Sequence, residues 1–156
     1  MFRRWLHLPM VAALLLAVLG HAQAPAPGLG EIQAPLVGVR NLGKGQLICL
    51  LYQKVDRVDA DVRKAWRVQT VRPTARDLLI RFEAVPAGEY AVAVFHDMDG
   101  DGKLTTNFLG VPQEDLAISR NAKGGPLGGP TWVDVKVQVS GRVLQLQPMV
   151  MRLLYD

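Results

Sequence analysis

The sequence predicts an all-β domain, a β-sandwich of about seven antiparallel strands with one long loop between the fifth and sixth. Three observations carry this. Short runs rich in Val, Ile and Leu follow one another, punctuated by glycine- and proline-containing turns. Within several of these runs the apolar residues recur with period two, which puts them on one face of a strand. One stretch, from Met98 to Pro130, is far longer than a hairpin connection, and loops of that length in compact domains are usually functional or disordered.

Residues 1–22 read as a secretory signal peptide rather than as part of the fold. Arg3 and Arg4 precede the apolar run Leu8 to Gly20, and small residues follow it. That run is too short to span a bilayer as a helix. Cleavage after Ala22 is expected, because a cut after Ala24 would leave Pro25 next to the scissile bond. The protein is thus expected to be exported, periplasmic or extracellular, with no membrane span after cleavage. Residues 23–35, rich in proline and glycine, read as a tether. Residues 36–156 are long enough for one domain with its own core.

The strands are expected in this order. "PLVGVRNL" leads through the turn "GKG" into "QLICLLY". The charged segment Gln53 to Trp66 reads as a solvated connection with at most one helical turn. "AWRVQTVRP" and "DLLIRFEAV" follow, and "PAGEY" turns the chain into "YAVAVFHD". There Tyr90, Val92 and Val94 share a face with His96, while Ala91, Ala93 and Phe95 share the other with Asp97. Both faces are mostly apolar, which predicts a central strand. In "TWVDVKVQV" the four valines alternate with Trp132, Asp134, Lys136 and Gln138, the pattern of a half-buried strand. "SGR" then predicts a hairpin into "VLQLQPMVMRL", where Pro148 demands an edge or a bulge.

Charge and composition exclude several classes. The whole chain carries +4, but two of the basic residues are Arg3 and Arg4, so the domain itself is nearly balanced. No basic run is interleaved with aromatics, and nucleic acid is not an expected partner. Cys49 is the only cysteine and sits among apolar neighbours, which predicts a buried, inert thiol. Of the three histidines only His96 lies outside the leader, so a zinc site built from several histidines is excluded.

The candidate site is "HDMDGDGKLTTN". Asp97, Asp99 and Asp101 alternate, and Gly102 permits the sharp turn that follows, a spacing that wraps oxygen ligands around Ca²⁺. Lys103 would contribute its carbonyl and Thr105 its hydroxyl, directly or through water. Leu104 would anchor the loop to the core. The position of the usual closing glutamate holds Phe108, and no helices flank the loop, so it is not an EF-hand. A closing ligand would come from Asn107, Glu114 or Asp115. The competing reading is an Asp-Gly turn whose carboxylates cap backbone N–H groups. A catalytic dyad of His96 and Asp97 is disfavoured, because adjacent strand residues point to opposite faces.

These residues resemble those of the bacterial DUF2141 family, a family of exported domains, from about Leu36 to Leu153. The resemblance rests on "GQLICLLY", "PAGEYAVAVFHDMDGDGKLTTNFLGVPQE" and "LGGPTWVDVKVQV". It implies an immunoglobulin- or prealbumin-like sandwich and supplies no activity. The family often has asparagine where Asp99 and Asp101 stand, so this loop is the more acidic. After Glu114 the chain departs from the family's usual Gly-Phe-Ser-Asn-Asn.

The expected function is a non-enzymatic binding or accessory module, with a glycan, a peptide or another envelope protein as partner. Arg120, Asn121 and Lys123 would offer polar contacts or simply face water. An exposed patch near Phe108 and Trp132 would favour binding. A loop folded flat through Leu104, Phe108 and Leu109 would favour a purely structural domain. His96 in a cleft beside Glu114 would favour a hydrolase.

Overall fold

The computed structural model describes residues 28–124 and 128–153; the leader predicted for residues 1–22 lies outside them. Among the described residues nine strands form two sheets. The first sheet has β4 (Leu78–Pro86) and β1 (Leu29–Val37) side by side, with β8 (Val143–Gln145) and β9 (Met149–Val150) on the far edge of β1. The second runs β3 (Arg67–Val71), β2 (Gln46–Tyr52), β5 (Gly88–Asp97), β6 (Leu116–Ile118), with β7 (Val137–Val139) also on β5. No helix among the described residues is long and apolar enough to cross a membrane.

The core lies between the sheets. Ile32, Ala34 and Leu36 of β1, with Ile80 and Phe82 of β4, face Leu47, Cys49 and Leu51 of β2 and Tyr90, Val92 and Val94 of β5. Fully burying one such aliphatic or aromatic side chain contributes about 1.5–3 kcal/mol, so the interlocked faces fix the register. Phe82 and Val85 both face inward although they are three apart. A bulge at Glu83 and Ala84, with Ala84 at φ 50°, makes this fit and shifts the pairing with β1 between Gly30 and Ile32. Cys49 is fully buried, and burial pushes its thiol up to about 12.

β5 is central, as its two apolar faces predict. Its second face, Ala91, Ala93 and Phe95, is covered by a second cluster with Ile48, Leu50, Tyr52, Val58, Leu116, Ile118, Trp132 and Val135. The segment Gln53 to Trp66 forms a connection with one 3₁₀ turn, Val62–Lys64, capped by Asp61.

Four expectations need correction. The first strand begins at Leu29, so the latter part of the segment read as a tether is sheet; Ile32 and Ala34 are core residues that the prolines around them obscure. The described residues hold nine strands rather than about seven, because Pro148 splits the last run and Leu116–Ile118 adds a short strand. Trp132–Val135 is a helical turn, α1, and only Val137–Val139 of "TWVDVKVQV" is strand. The reason is local: the Thr131 N–H and hydroxyl both donate to the Asp134 carboxylate, a capping interaction that favours helix over strand. Trp132 is consequently buried and Val133 exposed, the reverse of the alternating pattern. Finally, β7 and β8 do not form a hairpin. β7 pairs with β5, whereas β8 and β9 cross to the other sheet and run parallel to β1. Nine-residue β1 gives β8 and β9 a long edge to pair with, whereas three-residue β7 would give a short one.

Candidate functional site

The acidic loop grows directly out of the end of β5. Asp97, its last residue, is fully buried on the face opposite His96. One carboxylate oxygen accepts the Gly100 N–H at 2.8 Å; the other accepts Gly102 N–H at 3.1 Å and the Gln46 amide at 2.7 Å. Asp97 therefore winds the loop around itself. Burial by itself pushes its carboxyl up, but the hydrogen bonds from Gln46, Gly102 and Gly100 outweigh that and hold it below its ordinary value. A matching constraint comes from the "GKG" turn. A Cβ on Gly45, which sits at φ 58°, would fall on the Asp97 carbonyl oxygen.

Further along, Asp99 accepts the Asp101 N–H at 3.2 Å and the Thr105 hydroxyl at 3.4 Å, and Asp101 accepts the Lys103 N–H at 2.7 Å. Residues 105–113 then form a small hairpin. Gln113 N–H donates to the Thr105 carbonyl at 2.9 Å, and Thr106 bridges Pro112. At the tip the Asn107 side-chain oxygen accepts the N–H groups of Leu109 and Val111. Glu114 closes the structure: one oxygen accepts Met98 N–H at 2.7 Å, the other Thr105 N–H at 3.0 Å.

The result gathers one carboxylate oxygen each from Asp97, Asp99 and Glu114 within 4.8 Å of one another. Of the predicted set, Asp97 and Asp99 come together, and Thr105 touches the group through Asp99. Asp101 stays outside it, and Lys103 meets Asp101 through its N–H. Among the three candidate closing ligands, Asn107 is engaged at the hairpin tip and Asp115 is paired with Arg40. Glu114 is the one that arrives. No local spacing could have singled it out, since the hairpin brings it back.

His96 is buried, and its Nε2 lies 2.8 Å from the Lys44 carbonyl, which makes that nitrogen the donor. Its backbone N–H donates to the Asp115 carbonyl at 2.9 Å, and the residue is enclosed rather than set open to solvent. Arg120 reaches the Val133 carbonyl and Lys123 is exposed. Asn121 ties down β9 by accepting Val150 N–H and donating to the Pro148 carbonyl, both at 2.8 Å. Leu104 is half-buried against the second cluster, as expected of an anchor. In contrast Phe108 is 93 % exposed and Leu109 72 %. A cleft of about 570 Å³ between the loop and the 3₁₀ turn is lined by Asp59, Val62, Arg63, Asp101, Lys103 and Leu104 among others.

No curated protein and no solved structure matches this chain. Residues 37–147, the greater part of the chain and all of the acidic loop and hairpin, match the family described as an uncharacterized protein conserved in bacteria (DUF2141), and the chain belongs to that family.

Proposed function

We propose that this is an exported, non-enzymatic binding module whose hairpin tip, Phe108 and Leu109, docks onto an envelope protein. The observation that carries the reading is the exposure of those two side chains on a hairpin braced at its base by Glu114 and at its tip by Asn107. A hairpin backbone already tied at base and tip has little freedom left to lose on binding, and burying each of the two side chains contributes about 1.5–3 kcal/mol.

The acidic loop is proposed to bind Ca²⁺ weakly through Asp97, Asp99 and Glu114, stiffening the base of the hairpin. Two observations bear on its strength. Three carboxylates converge, which favours a cation, but Asp97 and Glu114 already accept four backbone N–H bonds and the Gln46 amide. The loop is therefore held without an ion, and affinity belongs in the range of about 10⁻⁴–10⁻³ M typical of extracellular modules.

Two measurements test the two parts separately. A photo-crosslinking residue at position 108, in cells, should give one discrete adduct that Leu109→Asp abolishes; the same residue at exposed Val68 should give none. No adduct at 108, or equal adducts at both positions, sinks the docking reading. Thermal unfolding in EDTA and in millimolar calcium, beside Asp99→Asn, tests the ion. Calcium should raise the midpoint of the wild type and leave the variant unmoved; an unmoved wild type leaves an acidic turn and no metal site.

A further inference from the structure

β4 is nine residues long and, among the described residues, pairs on one side only, with β1. Its outward groups can be identified from the ladder. Leu146 N–H donates to the Gln33 carbonyl, so Gln33 faces β8; its cross-strand neighbour Arg81 must then face away from β1 as well. Two residues on, Glu83 faces the same way. Long outward edges of this kind pair readily with other strands.

This edge is occupied by side chains from the other sheet. Arg67 of β3 donates to the carbonyls of Glu83 and Ala84, the latter at 2.9 Å, and Gln69 donates to the Arg81 carbonyl at 3.1 Å. The Ala84 bulge turns its carbonyl toward the fork. Arg67 is oriented in turn by Trp66, whose ring lies 4.2 Å below the guanidinium. Polar residues on the inward face of edge strand β3 thus close the seam of the sandwich. On the opposite side the seam is closed by backbone, with Leu116 and Arg152 exchanging two hydrogen bonds.

What would fill the edge if the two side chains let go is written in β4 itself. An antiparallel pairing of β4 with β4 of a second copy, centred on Phe82, sets Arg81 opposite Glu83 of the second copy, and the two-fold axis repeats the pair. Both residues are exposed on the outer face, so two opposite-charge cross-strand pairs form in one closed, symmetric contact. Arg81 would exchange its present partner Glu31, 2.8 Å away, for that glutamate. We propose that the outer edge of β4 is a strand-pairing surface for a second copy of this chain, held shut by Arg67 and Gln69 reaching across from β3. The seam is a latch on self-association, independent of the acidic loop.

Light scattering on the purified protein after size separation tests this. The wild type should be a monomer, Arg67→Ala with Gln69→Ala should double in mass, and adding Glu83→Lys should return it to monomer by opposing like charges across the strands. A folded double variant that stays monomeric overturns the proposal, as does a dimer indifferent to Glu83→Lys. A wild type that already dimerises through β4 overturns the latch. Should the double variant fail to fold, Arg67→Lys with Gln69→Ala keeps a cation over Trp66 while removing the fork; it too must dimerise, and a monomer there ends the idea.

Discussion

The Glu114 carboxylate accepts the N–H of Met98 at 2.7 Å, tying the end of the long loop to its beginning. The same side chain holds Thr105 with its other oxygen, and it is only 7 % exposed. Truncation would take the charged acceptor away from two backbone donors, on Met98 and Thr105. Glu114→Ala should therefore cost about 1–3 kcal/mol in urea unfolding with chelator present. Glu114→Gln should cost less, because an amide oxygen can still accept one of the two bonds. Equal losses for both variants would mean that the charge, and not the bond count, is what matters.

Asp97 predicts a particular acid response. Its folded-state value is depressed, so the stability it contributes is complete above the unfolded value, about 3.9, and is lost as pH falls through the folded one. In EDTA, the gap in unfolding midpoint between wild type and Asp97→Asn should be widest at neutral pH and should close below about pH 4. A gap that stays constant through that range would show that the loop does not depend on the ionised carboxylate.

The "GKG" turn offers a controlled comparison. Gly43 and Gly45 both have positive φ, 76° and 58°, but a Cβ meets nothing at Gly43 and meets the Asp97 carbonyl at Gly45. Gly43→Ala should cost about 1–2 kcal/mol, the left-handed penalty alone. Gly45→Ala adds a clash with backbone, worth roughly 1–3 kcal/mol more, and should shift the amide resonances of the acidic loop. Similar losses for the two variants would show that the Asp97 strand end yields easily.

The helical turn α1 depends on the residue that precedes it. Thr131→Ala should lower stability by about 0.5–2 kcal/mol, and Asp134→Ala by a similar amount. Because the two side chains act on one another, the double variant should lose less than the sum of the singles in the same unfolding assay. Additive losses would place the two residues in separate roles.

Much of the fold is legible where a residue's environment follows from its own strand. β5 reads correctly because both of its faces are apolar, and that requires cover on both sides wherever the cover comes from. The run of valines 133, 135, 137 and 139 misleads for the converse reason. Period two is satisfied in the letters, but Thr131 and Asp134 form a competing local bond, and four residues are enough for one helical turn. A capping pair at that spacing was present in the sequence and was the signal to weigh. At the site, alternate aspartates reveal a turn that needs compensation, and they bring Asp97 and Asp99 together; Asp101 is drawn off to cap Lys103 instead.

The class of fold, the burial of Cys49 and the place of the acidic loop are all readable in the chain, since each follows from the pattern of neighbouring residues. That Glu114 closes the loop, that Phe108 and Leu109 stand in water, and that Arg67 and Gln69 cover the edge of β4 emerge only from the folded arrangement. The physical reason is common to all three. Each depends on backbone groups from distant segments meeting in space, and which groups meet is set by how the two sheets pack and where the bulges and hairpins turn, not by any local periodicity.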